Sequence, residues 1–323
     1  MNAPNEAGAG TRLEATLKSG RFVLTAEVAP PATCDANEFL AHALPLRGLA
    51  DAVNVTDGAG ARAHLGALAA AAILVQAGIE PVLQLTGRDR NRIALQGDLL
   101  GAAALGVRSL LLLRGDDPSA GDQPDAKPVF DLDTRALIET ARRIRDDGEL
   151  PSGRKVSGRP DFLLGVADTP LDPPDGWAPD GLLAKVAAGA QFAQTQFCMD
   201  AALVRRYVRR LAEHGIPQRL RILIGVAPLK SARSARWMRT HLFGTIIPDA
   251  TVERLERAAD PAAEGRRLCV ELIEELAEIP EIAGAHIMAP GNDGAIPHVI
   301  DAAGRIARRR HASIRPSAGA DRS

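Results

Sequence analysis

Three cysteines, Cys34, Cys198 and Cys269, are too few and too far apart to staple a fold. Their spacing matches no zinc motif, so reduced thiols in a cytosolic protein are the expectation. Aromatic residues are scarce: two Trp, one Tyr and seven Phe in 323 residues. Trp177, Trp237 and Tyr207 form no stripe on which single-stranded nucleic acid could stack. Neither charge sign is in excess. The 39 basic and 40 acidic residues leave a net charge of −1, which gives no general pull toward nucleic acid or an anionic membrane. No apolar run approaches the roughly 18 residues of a membrane span. The opening MNAPNEAGAGTR lacks the basic-then-apolar pattern of a secretory leader. Glycine-rich phosphate fingerprints, H-E-x-x-H and G-x-S-x-G are all missing. The seven histidines are scattered without ligand spacing, so no metal site is expected, and each, His286 included, reads as a surface or core residue.

What the sequence does have is apolar material in short pieces. Hydrophobic residues make up 46% and charged residues 24%, enough for a large core and a soluble surface. Eight runs read as strands: 21–28, 51–56, 80–85, 109–114, 162–167, 192–197, 221–226 and 284–289. Most are continuous rather than alternating, as expected for strands covered on both faces. Helical segments lie between them at 37–46, 62–77, 91–105, 133–146, 182–188, 201–214 and 232–241. A further one at 252–279 breaks near AADPAAEG. Several helices end in glycine followed by a strand, as in QAGIEPVL and ALGVRSLLLL, the usual chemistry of an αβ loop. Eight strand–helix alternations predict an α/β fold, a single-domain (β/α)8 TIM barrel over residues 19–309. Residues 1–18 and 310–323 read as flexible tails. The longest irregular stretches are 116–131, on the face where a barrel keeps its chemistry, and 147–160, on the opposite face.

Barrel active sites form where strands end. Glu27 interrupts an apolar strand, and a carboxylate there is costly unless paired or functional. It is either an ion-pair partner of Arg114 or Lys185 or a proton donor whose pKa is raised by a partly dry site. LLLLRGDDP, starting at Leu110, ends a buried strand in charge. Asp116 can pair with a basic neighbour or bind a ligand N–H, whereas Asp117, beside Pro118, reads as turn chemistry. Gln196 suits a heteroaromatic ring edge or is a satisfied core amide. In RDRN, Asp89 or Asn91 can cap the next helix.

TAEVAPP, VNVTDGAG, LRGDDP and AQTQFCMD, in that order, resemble the methylenetetrahydrofolate reductase family, and GIEPVLQLTGRDRNRIALQGDLLGAAALGV adds to the likeness over about residues 20–300. The resemblance is to the reductase domain of bacterial two-domain homologues. It implies FAD at the C-terminal ends of the strands, NAD(P)H as hydride donor and a methylene-bearing folate as substrate. It also implies a cytoplasmic homo-oligomer. By motif, Glu27 would be the general acid and Asp116 a carboxylate tuning flavin and folate. Gln196 would contact the pterin or nicotinamide. Thr56, Gln84, Leu113, Arg114, Phe130, Ala167 and Lys185 match cofactor-contacting positions. The sequence departs from the family pattern at several of these. Gln84 replaces a histidine, Asp57 an aromatic, Phe130 a tyrosine, Ala184 an arginine and Ala232 an aromatic. These departures keep open a flavin-free or modified-pterin one-carbon oxidoreductase, and a non-catalytic pterin-binding or electron-transfer subunit.

Overall fold

The computed structural model describes residues 11–314. Eight parallel strands pair in chain order, and the first closes on the last: β1 (Val23–Val28), β2 (Ala52–Val55), β3 (Pro81–Thr86), β4 (Ser109–Leu113), β5 (Leu163–Asp168), β6 (Phe192–Phe197), β7 (Arg221–Val226) and β8 (Ile282–Ile287). In the first half of the chain the helices are α1 (Arg12–Ser19), α2 (Ala36–Ala43), α3 (Ala67–Gln76), α4 (Arg92–Ala104) and α5 (Thr134–Asp147). The second half adds α6 (Asp180–Ala188), α7 (Ala201–Glu213), α8 (Ala232–His241), α9 (Asp249–Arg257), α10 (Pro261–Leu276) and α11 (Ile296–Ile314). The fold is the expected (β/α)8 barrel.

Alternation along each strand divides the core into two parts. Outward residues such as Leu24, Ala26, Val53, Leu83, Leu110, Leu112 and Ile224 pack against the helices. Inward residues Val23, Ala52, Val82, Leu111, Leu163, Phe192 and Leu223 fill the lower half of the barrel. Phe192 fits because Gly165 faces it; a Cβ on Gly165 would lie 2.2 Å from the ring. The interior is therefore closed at its base, and a ligand can enter only from the C-terminal ends of the strands.

Residues 12–18 are not a tail. Leu13 and Leu17, one helical turn apart, are buried against the base of the barrel. Two features nucleate so short a helix. Thr11 caps it through Oγ1 to Glu14 N at 3.0 Å, and the Glu80 carboxylate accepts from Leu13 N at 3.1 Å. At the other end α11 continues to Ile314, past the expected boundary at 310, with Ile296, Val299, Ile300, Ala303 and Ala307 buried on one face. Residues 1–10 and 315–323 of the expected tails lie outside the described residues. β8 begins two residues before the expected run, and α3 starts only at Ala67. Before it, Arg62 (φ −114, ψ 145) and the N-cap Gly66 (φ −55, ψ 133) are extended, so the segment from 62 to 66 is not helical.

Candidate active site

Thr25 and Glu27 lie on the inner face of β1, above Val23. Glu27 Oε2 accepts a hydrogen bond from Gln84 Nε2 of β3 at 2.8 Å. His286 Nε2, on β8, stands 3.6 Å from the same oxygen. The Glu27 side chain is 22% exposed and His286 only 2%, so the carboxylate tops a buried layer and touches the mouth. The simple ion pair does not form. Arg114 lies over the Phe130 ring, 4.2 Å from its centroid, and Lys185 Nζ donates to Ala167 O at 2.7 Å.

Beneath Glu27 a polar network crosses the barrel. Asn54 on β2 and Gln194 on β6 exchange two amide hydrogen bonds, Nδ2 to Oε1 at 2.6 Å and Nε2 to Oδ1 at 3.0 Å. Gln194 Nε2 also donates to Thr25 Oγ1 at 3.1 Å, and Thr25 Oγ1 is 2.9 Å from His286 Nδ1. β2 and β6 are not neighbours, so these bonds can run only through the interior. Sequence reading singled out none of Thr25, Asn54, Gln194 and His286 as functional. Thr25, Asn54 and His286 each stand between two apolar neighbours, and Gln194 opens the polar QTQ of β6; that is the one signal they gave.

Four expected cofactor positions come together. Leu113, Arg114, Ala167 and Lys185 line a cleft of about 430 Å3 between the ends of β4 and β5 and the start of α6, with Trp177 and Tyr207 behind it. Tyr207 donates to Asp168 Oδ2 at 2.5 Å. Burial and that carboxylate push the phenol strongly up, so it stays protonated. Thr56, Gln84 and Phe130 are not in the lining. Gln84 is committed to Glu27, and Phe130 reaches the cleft only through Arg114. Phe130 has φ +44, a left-handed conformation that is strained for a bulky residue. Two hydrogen bonds hold it there: Val129 N to Arg88 O at 2.7 Å and Phe130 N to Gly87 O at 3.1 Å. Thr56 is 3% exposed, and its Oγ1 has no hydrogen-bond partner among the described residues.

The acidic strand end divides as its residues suggest. Gly115 takes φ +90, which turns the chain sharply after β4. Asp116 is exposed and accepts from Gly60 N at 2.9 Å, tying this loop to the one after β2. Asp117 caps the following turn through Ser119 N at 2.9 Å. Asn91 caps α4, while Asp89 pairs with Arg88. Asp57 is caged, with Oδ2 accepting from Thr86 N at 2.8 Å and Arg90 at 2.7 Å, and Oδ1 from Arg90 at 2.8 Å. Burial pushes its carboxyl up, but the Arg90 and Thr86 donors outweigh it and hold it below the usual range. On β6, Thr195 Oγ1 accepts from Gly225 N at 2.9 Å, where the pairing with β7 shifts register. The Gln196 Oε1 next to it accepts from Phe197 N at 3.0 Å. Among the described residues no group of three or more His, Cys, Asp or Glu is placed to hold a metal ion. None of the described helices is long and apolar enough to cross a membrane.

Known proteins resemble this chain in sequence and in fold. A probable methylenetetrahydrofolate reductase (NADPH) of Caenorhabditis elegans is 28% identical over 244 residues, covering 73% of this chain and 34% of that protein. Methylenetetrahydrofolate reductase 2 of Schizosaccharomyces pombe is 26% identical over 212 residues, covering 61% and 31%. The matched part is thus about a third of the length of these relatives. Among solved structures, an uncharacterized Clostridium thermocellum protein that binds two copies of 5-methyl-5,6,7,8-tetrahydrofolic acid shares the fold. Its TM-score is 0.64 at 16% identity, over 91% of this chain and 98% of that one. The methylenetetrahydrofolate reductase family model matches residues 12–304. A match of that extent, on a barrel whose polar mouth holds the four motifs, means that the chain belongs to the methylenetetrahydrofolate reductase family.

Proposed function

We propose that the chain reduces 5,10-methylenetetrahydrofolate to 5-methyltetrahydrofolate, with NAD(P)H as electron donor and FAD as carrier. The observation that carries this reading is Glu27, a carboxyl group at the barrel mouth with Oε2 anchored by Gln84. Family membership supports the reaction class, and the folate-binding C. thermocellum barrel supports the ligand class.

The residues present fit the flavin. Leu113 and Ala167 offer backbone and apolar surface beside a flat ring, and Arg114 and Lys185 offer cations for a diphosphate. Thr56 Oγ1, buried and unpartnered, is a polar atom that a ligand would satisfy. Bound FAD would supply hydride transfer from NAD(P)H to the substrate.

Everything else falls to the chain. Glu27 holds a proton at the mouth and delivers it to the amine nitrogen that leaves as the folate's five-membered ring opens. The methylene carbon then becomes an iminium, and hydride converts it to a methyl group. One proton and one hydride are consumed, matching the oxidation of one NAD(P)H. Asp116 supplies negative charge beside the cationic iminium. Gln196 has its oxygen engaged by Phe197 N, which leaves its amide N–H groups for a pterin acceptor. The closed apolar base keeps water from the reacting carbon from below.

The test is a visible spectrum of the purified protein, followed by anaerobic NAD(P)H and then methylenetetrahydrofolate. Flavin bands that bleach and return, with 5-methyltetrahydrofolate as product, are expected. A colourless protein that still oxidises NAD(P)H with the folate would remove the flavin and leave the reductase. Gln84 already committed to Glu27 is the observation favouring that variant. A colourless protein that binds folate without turnover would leave only a binding module.

A further inference from the structure

Resting on that reading of Glu27, we infer that His286 is a positioning residue, locked by Thr25 and Gln194 with its ring hydrogen on Nε2. In that state it selects which Glu27 oxygen delivers the proton. The hydrogens can be counted. The Gln194 amide has two. One goes to Asn54 Oδ1 at 3.0 Å and the other to Thr25 Oγ1 at 3.1 Å. Thr25 therefore accepts from Gln194 and must give its own hydroxyl hydrogen elsewhere. Its remaining neighbour is His286 Nδ1 at 2.9 Å. Gln194 Nε2 itself lies 3.3 Å from Nδ1, so two donors crowd that nitrogen. A hydrogen on Nδ1 would face both of them. The ring hydrogen consequently sits on Nε2, 3.6 Å from Glu27 Oε2.

Glu27 Oε2 already accepts from Gln84 Nε2 at 2.8 Å. Both groups facing this oxygen are donors, so a proton on Glu27 has its place on Oε1, the oxygen left free. The chain Asn54–Gln194–Thr25–His286 thus orients the acid without touching substrate. Packing alone does not explain it. Barrel interiors are usually filled by branched apolar side chains, as this one is below Val23 and Leu223. A buried polar network is stabilising only when every member is satisfied, and here the members come from four strands, two of them across the barrel. The polarity starts directly under Glu27.

Two measurements test this together. The first reads 15N shifts of labelled histidine in the wild-type protein, with the His286 signal assigned by its loss in His286→Gln. A pyrrole-type Nε2 and a pyridine-type Nδ1 are expected. A hydrogen on Nδ1, as both amides turned over would give, or on both nitrogens, overturns the inference. The second separates half-reactions. His286→Phe is expected to slow folate reduction about 10–100-fold, the range of a displaced general acid. Its folate KM should stay within about twofold and the NAD(P)H half-reaction unchanged, the pattern of an interaction made only in the transition state. His286→Gln, which restores an N–H near Nε2, is expected to recover folate reduction to within about fivefold of wild type. Equal losses in Phe and Gln variants, or a KM effect alone, overturn the positioning role. If the wild type reduces no folate at all, the proposed reaction falls, and the 15N shifts still decide the tautomer.

Discussion

Asp57 concentrates four donors, two from Thr86 and two from Arg90, on one buried carboxylate, and its ionisation is part of the fold's stability. Its folded pKa is lowered, so the contribution is present above the unfolded value, about 3.9, and is lost as pH falls through the folded one. Asp57→Asn should cost about 2 kcal/mol at pH 7, below the loss typical of a fully buried pair, because Arg90 keeps Asp98 at 2.9 Å. The cost should shrink at pH 3, below the unfolded value, where the unfolded chain takes up a proton at this carboxylate and the advantage of the folded, paired form falls; urea midpoints at the two pH values measure this. A thiol count is a second check at this scale. Cys34 is exposed, Cys198 and Cys269 are buried, and burial pushes the Cys198 thiol up to about 12. Native protein should be alkylated at Cys34 alone and at all three after denaturation, read by mass spectrometry. Single residues were legible in the sequence when they broke a local pattern. Glu27 stood out as charge inside an apolar strand, and Asp117 before Pro118 announced its turn. His286 and Thr25 were not legible together, because they lie 261 positions apart and meet only through barrel closure. Asp57 stood out as a departure, but its partner Arg90 is 33 residues away on another loop.

Among the elements, α1 is short but buries two leucines in the core. Its two leucines seal the base of the barrel, and Glu80, whose pKa burial raises, holds its first turn. Leu13→Ala should cost about 3 kcal/mol through the lost contacts and the cavity left behind. Lys18→Ala, which removes the exposed end of an i,i+4 pair with the partly buried Glu14, should change stability by no more than about 1 kcal/mol, well below the loss at Leu13. Urea denaturation of both variants separates a plug from a tail. Most strands were legible because short, mainly apolar runs bounded by glycine, proline or charge have few other uses in an α/β chain. The ends of β8 were less so, since the apolar run from Ile282 to Pro290 is longer than the strand. α1 escaped because one pair of leucines makes no period. α11 escaped because its inner face is largely small or widely spaced, and a basic run follows it.

At the scale of the molecule, the barrel sorts its interior by depth. Apolar side chains close the base, a polar network crosses the middle, and Glu27 with Gln84 meets the mouth. Beside the mouth lies the cleft of Leu113, Arg114, Ala167 and Lys185. Fold class and the cleft residues followed from strand order and motif likeness; the middle layer could not, because depth inside a closed sheet is a property of register and not of any local pattern. On the proposed reading, this layering separates proton delivery from electron delivery: Glu27 stands on β1, and the four cleft residues on β4, β5 and α6 and at their ends. The most direct test replaces Glu27 by Gln, which keeps the shape and removes the proton. The reductive half-reaction with NAD(P)H and the oxidative half-reaction with methylenetetrahydrofolate are then timed separately. Reduction by NAD(P)H within about twofold of wild type, with folate reduction slowed at least about 100-fold, is the predicted result. An equal fall in both half-reactions, or none in either, would contradict the assignment of Glu27 as the proton donor.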